Sequence, residues 1–268
     1  MSFLNNKCIS PSDYEKAAFM ANEASEEMLS RLEWMTLAPK IILDVGCGVG
    51  QSASSLQKRY PEASIIGLDY ALPMLQHVQQ NQSPLHCCCA VAEALPFAAQ
   101  SVDLMVANFF LPWQQDVKSV LQEWRRVLVP NGLLLITTLG LNTLQEYRNV
   151  LASEHIPNLV DMHDVGDALV QAGFVEPVLD VAHYQVAYRE RNKLLHELKA
   201  SGFWFPDEEA ARQGDELLPE ADGRWSLTYE VIYAHAFAPM EKNAYAVEEG
   251  MVKFPLAQLR QQLNRGNQ

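Results

Sequence analysis

Two hydrophobic periods alternate along the chain. Near the start, Tyr14, Ala17, Ala18, Ala21, Met28, Leu29 and Leu32 return at near-helical spacing, which predicts a helix over residues 11–36. A short apolar run at 41–45 predicts a buried strand, and the pattern after it predicts a helix over 51–59 that Pro61 ends. "ASIIGLD" reads as a second strand closing on Asp69, "LPMLQHVQQ" as a helix, "LHCCCAVA" as a third strand and Val102 to Asn108 as a fourth. Over 115–128, Val117, Val120, Leu121, Trp124, Val127 and Leu128 form one stripe, with Lys118, Arg125 and Arg126 opposite. "VPNG" then predicts a turn into a fifth strand, "LLLITTL". Strands alternating with helices imply a mostly parallel α/β sheet with helices on both faces. Beyond 141 the pattern predicts helices at 143–152, 164–172 and 189–201, a strand near 178–187 and a last strand, "LTYEVIYAHAF". No repeat or low-complexity linker separates these parts, so a single domain spanning 1–268 is expected, with a C-terminal helical elaboration.

Composition narrows this picture. Hydrophobic residues make up 49% of 268, yet no apolar run approaches the roughly eighteen residues of a membrane span. The first residues lack a basic stretch followed by an apolar one, so the expected setting is the cytoplasm. A net charge of −13 speaks against nucleic acid as the main partner. From Asp207 to Asp222, seven acids face Arg212 alone. Lys253, Arg260 and Arg265 make a basic tail, and Arg189, Arg191, Lys193 and Lys199 form a second basic cluster. The consecutive Cys87, Cys88 and Cys89 point to alternate faces of a strand and read as reduced thiols of a buried strand. His155, Asp161 and His163 have the chemistry of metal ligands, but "VDMHDVGDALVQAGF" reads better as a helix capped by Asp161 or Asp164 and stopped by Gly173. No metal is expected.

The chemistry concentrates in "IILDVGCGVGQSASSL". Gly46, Gly48 and Gly50 follow a strand and precede a helix, but Gln51 stands where a dinucleotide fingerprint needs its third glycine. No G-x-x-x-x-G-K-[ST] phosphate loop is present either. Asp44, two residues before Gly46, would oppose a pyrophosphate and welcome a cation. S-adenosylmethionine has no phosphate and carries an ammonium and a sulfonium; Gly46, Cys47 and Gly48 would let its amino-acid end approach the backbone. Asp69, with Tyr70 beside it, ends the next strand, where an acid grips ribose hydroxyls.

"ILDVGCGVG", "IIGLDYALPML", "AEALPF", "SVDLMVANFFLPW" and "EWRRVLVPNGLLLITT" resemble, in order across 41–138, the motifs of class I S-adenosylmethionine-dependent methyltransferases, which have a Rossmann-like, seven-stranded fold. The resemblance implies that Met74, Ala92 and Glu93 lie by the adenine and Asn108 at the methionine end. Valine at 91 departs from it, since an acid there usually accepts from the adenine amine; backbone groups, packing and Glu93 must then serve. "PNLVDMHDVGDALVQAGFVEPVLD", "LLHELKASGF", "WSLTYEVIYAHAF" and the N-terminal "SDYEKAAFMANEASEEMLSRL" extend the resemblance over 11–237 to BioC-type malonyl-[acyl-carrier protein] O-methyltransferases of biotin synthesis. The Arg-Phe pair usual before their first helix is replaced by Lys7, Cys8 and Ile9. The likeness implies methyl-ester formation on a malonyl carboxylate borne by an acyl-carrier protein. Tyr14 then walls the acceptor pocket, and Arg189 and Arg191 are candidate cations for the carboxylate. Protein-modifying assembly factors related to these enzymes, small-molecule methyltransferases and a non-enzymatic binding module are the alternatives.

Overall fold

The computed structural model describes residues 9–81, 85–148, 156–204, 218–220 and 222–240, with the backbone of 246–248 and 251–253. Seven strands form one sheet: β1 (Ile41–Val45), β2 (Ser64–Asp69), β3 (His86–Cys89), β4 (Val102–Ala107), β5 (Leu128–Leu139), β6 (Val175–Tyr188) and β7 (Trp225–Phe237). Their order is β3-β2-β1-β4-β5-β7-β6. The first five pair in parallel, and β7 runs antiparallel to both β5 and β6. The chain winds outward from β1 to β3, then returns across to β4, so strand order reverses between β1 and β4. Crevices at such reversals, outside the carboxyl ends of the strands, are where open α/β sheets bind ligands.

Helices α1 (Pro11–Ala17), α2 (Phe19–Ser30), α3 (Gln51–Arg59), α4 (Leu72–Asn81), α5 (Val117–Val127), α6 (Met162–Gln171) and α7 (Arg191–Ala200) cover the sheet. One buried layer joins Met28, Leu56, Leu104, Leu135, Leu198 and Tyr229, bringing α2, α3 and α7 onto one face. The other joins Leu43, Val120, Trp124, Leu134, Leu169 and Ile232, bringing α5 and α6 onto the opposite face. Burying both faces explains why the central strands are almost continuously apolar. Among the described residues, no helix is long and apolar enough to cross a membrane.

Several expectations need correction. The helix over 11–36 is two helices followed by a 3₁₀ turn at Arg31–Trp34, because Ala18 (φ −77°, ψ 23°) leaves the helical region. The break lets α1 pack on α4 and α7 while α2 packs on α3 and β5, which one straight rod could not do. β3 is shorter than read and pairs only with β2 among the described strands; its thiols run from half-buried to exposed rather than lying in a buried strand. "VPNG" does not precede β5 but bulges within it: Val102 pairs with Leu128 and Leu104 with Leu133. Asn131 (φ 62°) makes the protrusion, and hydrogen bonds to Ala238 hold it. Only Gln145–Tyr147, a 3₁₀ turn, forms where a helix over 143–152 was predicted; 149–152 lie outside the described residues. In the expected basic tail, β8 (Ala246–Glu248) and β9 (Met251–Lys253) pair antiparallel. His155, Arg212, Arg260, Arg265 and the acids from Asp207 to Glu216 also lie outside the described residues.

Trp124 is fully buried and its ring packs against Phe110, at 5.6 Å between centroids. Trp124→Ala should therefore lower the unfolding free energy by about 3–5 kcal/mol in denaturant titration. A loss under about 1 kcal/mol would mean that this layer is not the packed core described.

Candidate functional site

β1 is apolar and buried up to its last turn, and Asp44 is carried into the interior with it, 1% exposed. Its Oδ2 has no hydrogen-bond partner. Burial pushes the Asp44 carboxyl up to about 7, the Ala53 backbone N–H in the first turn of α3 offsets part of this, and Asp69 adds to it. An acceptor oxygen left unpaired in a dry site is costly unless a ligand supplies the donor.

The turn after Asp44 is a run of left-handed glycines, Gly46 (φ 70°), Gly48 (φ 51°) and Gly50 (φ 82°), which L-residues with a Cβ resist. Gly46 has a second reason to lack a side chain: a Cβ there would sit 2.5 Å from the Phe110 ring. The space that the sequence assigned wholly to a ligand's approach is thus partly filled by the protein. Gly46 and Cys47 donate their N–H groups to Leu68 O (2.8 and 3.0 Å), tying the turn to β2. Asp69 fixes it from the same strand, its Oδ2 accepting from Gly48 N (3.0 Å) and its Oδ1 from Ala71 N (2.9 Å). Burial raises the Asp69 pKa and these bonds oppose the rise. Cys47 is a buried thiol driven up by desolvation, then by Asp44 and Asp69.

Tyr14, from α1, lies over Gly48, with Cε1 3.6 Å from where a Cβ would be. Burial pushes its hydroxyl up to about 12, with Asp69 and then Asp44 contributing. The structure thus brings Tyr14, Asp44, Cys47, Gly48 and Asp69 together. Tyr70 is half-exposed beside Asp69, and Met74 is buried on α4. Ala90 N–H donates to Asp69 O (3.2 Å), which sets the turn carrying Val91, Ala92 and Glu93 beside the end of β2; Ala92 is buried while Val91 and Glu93 are exposed. Asn108, at the end of β4, is held by the protein itself. Its Nδ2 donates to Ala21 O (2.7 Å), and its Oδ1 accepts from Thr137 Oγ1 (2.6 Å). Arg189 is exposed beyond the end of β6 and the partly buried Arg191 opens α7, which packs against α1, the helix that carries Tyr14.

Some supporting residues carried no local signal. Glu123 Oε1 accepts from Leu95 N (2.8 Å), and Arg126 donates to Phe97 O (2.9 Å), to Leu95 O (3.2 Å) and to Glu123. "EWRR" therefore anchors the "AEALPF" turn, although Arg126 reads in sequence as a solvent-facing charge. At the carboxyl edge an aromatic chain runs from Phe109 to Phe203 (5.6 Å) to Tyr229 (5.3 Å), and Tyr188 Oη donates to Glu197 Oε1 (2.7 Å). As for the alternative metal reading, Asp161 caps α6 by accepting from His163 N (2.8 Å), and Gly173 (φ 91°) ends it, as expected. No cluster of metal-ligating side chains occurs among the described residues.

Residues 43–136 match the family described as "Methyltransferase domain". The chain is 38% identical over 255 residues to malonyl-[acyl-carrier protein] O-methyltransferase of Methylovorus sp. (strain MP688), covering 86% of each. It is 36% identical over 256 residues to the protein of the same name from Gallionella capsiferriformans, covering 84% of this chain and 86% of that one. The crystal structure of a putative methyltransferase from Bacillus halodurans overlays with a TM-score of 0.62 at 14% identity, covering 81% of this chain and all of that one, which bears on the fold. The sheet order is that of the Rossmann-like class I methyltransferase fold. The chain belongs to the malonyl-[acyl-carrier protein] O-methyltransferase family.

Proposed function

We propose that this chain transfers a methyl group from S-adenosylmethionine to the free carboxylate of a malonyl group held as a thioester on an acyl-carrier protein, giving the methyl ester that opens pimeloyl-chain synthesis for biotin. The observation that carries the donor half is the partnerless, buried Oδ2 of Asp44 behind a glycine turn. That oxygen suits an ammonium and repels phosphate. S-adenosylmethionine is the co-substrate, and when bound it supplies an electrophilic methyl on a sulfonium.

In this reading Asp44 accepts from the amino group, and the backbone of Gly46, Cys47 and Gly48 lines the amino-acid end. Asp69 and Tyr70 hold the ribose, Met74, Ala92 and Glu93 flank the adenine, and Asn108 fixes the floor by joining α2, β4 and β5. A malonyl carboxylate is ionised at neutral pH, so no general base is required. The protein has to orient it in line and exclude water. Tyr14 walls the acceptor side, and Arg189 or Arg191 meets its charge. Residues 41–138 then serve the donor and 139–237 the acceptor within one cytoplasmic enzyme. A carrier protein is acidic and the chain carries −13, so docking falls to the exposed basic side chains around α7, Arg189, Lys193 and Lys199.

Incubation with methyl-labelled S-adenosylmethionine and malonyl-carrier should give a product that releases labelled methanol on mild alkaline hydrolysis. Label that survives alkali would mean an N- or C-methyl and defeat the ester assignment. Asp44→Asn should weaken S-adenosylmethionine binding about a hundredfold by calorimetry. The same variant tests the protonation argument. A carboxyl raised from 3.8 to about 7 on folding contributes stability that is full below the lower value and is lost as pH rises through the upper one. The stability of Asp44→Asn relative to wild type should then grow between pH 4 and pH 7, by at most about 1.4 kcal/mol per unit. A difference that stays flat with pH would show that Asp44 titrates normally. Lys193→Glu, which leaves the candidate carboxylate cations Arg189 and Arg191 and the neighbouring Lys199 in place, should raise KM for malonyl-carrier about threefold and leave that for malonyl-coenzyme A nearly unchanged. Equal effects on both would place the docking surface elsewhere.

A further inference from the structure

Asp44 is not the only buried polar group without a partner. Trp204, just past the end of α7, is fully buried, and its indole Nε1 has no hydrogen-bond partner. Its own backbone is well tied, with Trp204 N–H donating to Leu198 O (3.0 Å) after Gly202 turns the chain through φ 85°. The orphaned donor is therefore set on a firm frame. Three comparable atoms lie away from the carboxyl edge of the sheet. Trp124 Nε1 is in the opposite helical layer, and Arg31 Nε and His235 Nδ1 sit toward the other end of β7. Trp204, by contrast, follows Phe203, whose ring touches Phe109, and Phe109 is the residue after Asn108 at the end of β4. It belongs to the same packed layer as Tyr188 and Tyr229. The Tyr188 hydroxyl in that layer is already spent on Glu197. Lys199 Nζ lies over the Trp204 ring, 5.0 Å from its centroid, which adds positive potential at this point.

We propose that Trp204 is an acceptor-binding residue, its Nε1–H donating to an oxygen of the acyl group of an anionic dicarboxylic monothioester. The proposal rests on the acceptor reading given above. A neutral N–H fits an ionised acceptor because it binds the anion without offering the sulfonium a competing nucleophile, and Lys199 polarises the site from the outer face. A buried donor is held unpaired in the free protein because its partner arrives with substrate.

The test replaces Trp204 with β-(3-benzothienyl)alanine, which keeps the bicyclic shape and lacks the N–H, alongside Trp204→Phe. Wild-type turnover of malonyl-carrier is measured first; methyl-ester formation there supports the parent reading, and its failure overturns both. Given that activity, the benzothienyl variant should raise KM for the malonyl thioester about tenfold, equivalent to about 1.4 kcal/mol. S-adenosylmethionine affinity should stay within about twofold and Tm of the free protein should not fall, since no internal hydrogen bond is lost. Trp204→Phe should move KM in the same direction. An unchanged KM overturns this proposal alone. So does a lowered Tm in the benzothienyl variant, because the N–H would then be serving an internal partner.

Discussion

A carboxylate that folding forces out of water governs the geometry of this protein. Asp44 enters the interior because Leu43 and Val45 on either side of it are fully buried in the central strand. One of its oxygens is left unpaired, and the price of that arrangement is a carboxyl raised to about 7 in the free protein. The surrounding elements fix the turn beside that oxygen. Asp69 clamps the turn through the Gly48 N–H, Phe110 presses under Gly46, and Tyr14 lies over Gly48. Each of these elements comes from a different strand end or helix, so the site is complete only when β1, β2, β4 and α1 are all in place.

Much of the remaining motif chemistry is scaffold. Asn108 spends both ends of its amide on Ala21 and Thr137, and Thr137 Oγ1 also accepts from Phe109 N (2.9 Å). This small network joins α2, β4 and β5 at the strand reversal, and it holds Phe109 in a left-handed conformation (φ 49°). Glu123 and Arg126 do the same for the 95–97 turn. Asn108, which reads in the sequence as a ligand contact, thus fixes the backbone at the strand reversal. At the far end of the sheet, Arg31 pairs with both oxygens of Asp180 and lies 4.4 Å over the Tyr233 ring, which docks the end of α2 onto β6 and β7.

The buried strands and their helices were legible because local period and burial agree there. β1 and α3 fall at 41–45 and 51–59 as read, and Asp44 and Asp69 were legible as acids closing apolar runs. Where partners are distant in sequence, the reading failed. Ala18 is a good helix former, and only the need to reach α4 and α7 as well as β5 explains the break there. "VPNG" has turn chemistry, yet Ala238, a hundred positions away, keeps it inside the strand as a bulge. The consecutive cysteines look like core but lie on an edge strand, because a strand's place in the sheet is not written in its own residues. Phe110, Glu197 and Trp204 are visible only through tertiary contact, for the same reason.

The acceptor side carries a further constraint. Tyr147 is pushed up to about 12 by burial and by Glu146, and Tyr188 and Tyr229 are raised mainly by burial, as is Tyr14. On the proposed reading Tyr14 walls the acceptor side, and the other three belong to the packed layer that reaches the carboxyl edge through Phe203 and Phe109. An ionised phenol there would be a nucleophile for the methyl group and would repel the incoming carboxylate. A phenol is protonated at neutral pH even in water, and burial and nearby acids widen that margin, while a malonyl carboxylate, ionised above about pH 4, arrives already able to react. The low dielectric that makes Asp44 costly thus acts in the same direction as the ordinary pKa of the phenols. On that reading an acceptor that arrives ionised needs no group in this wall to take a proton.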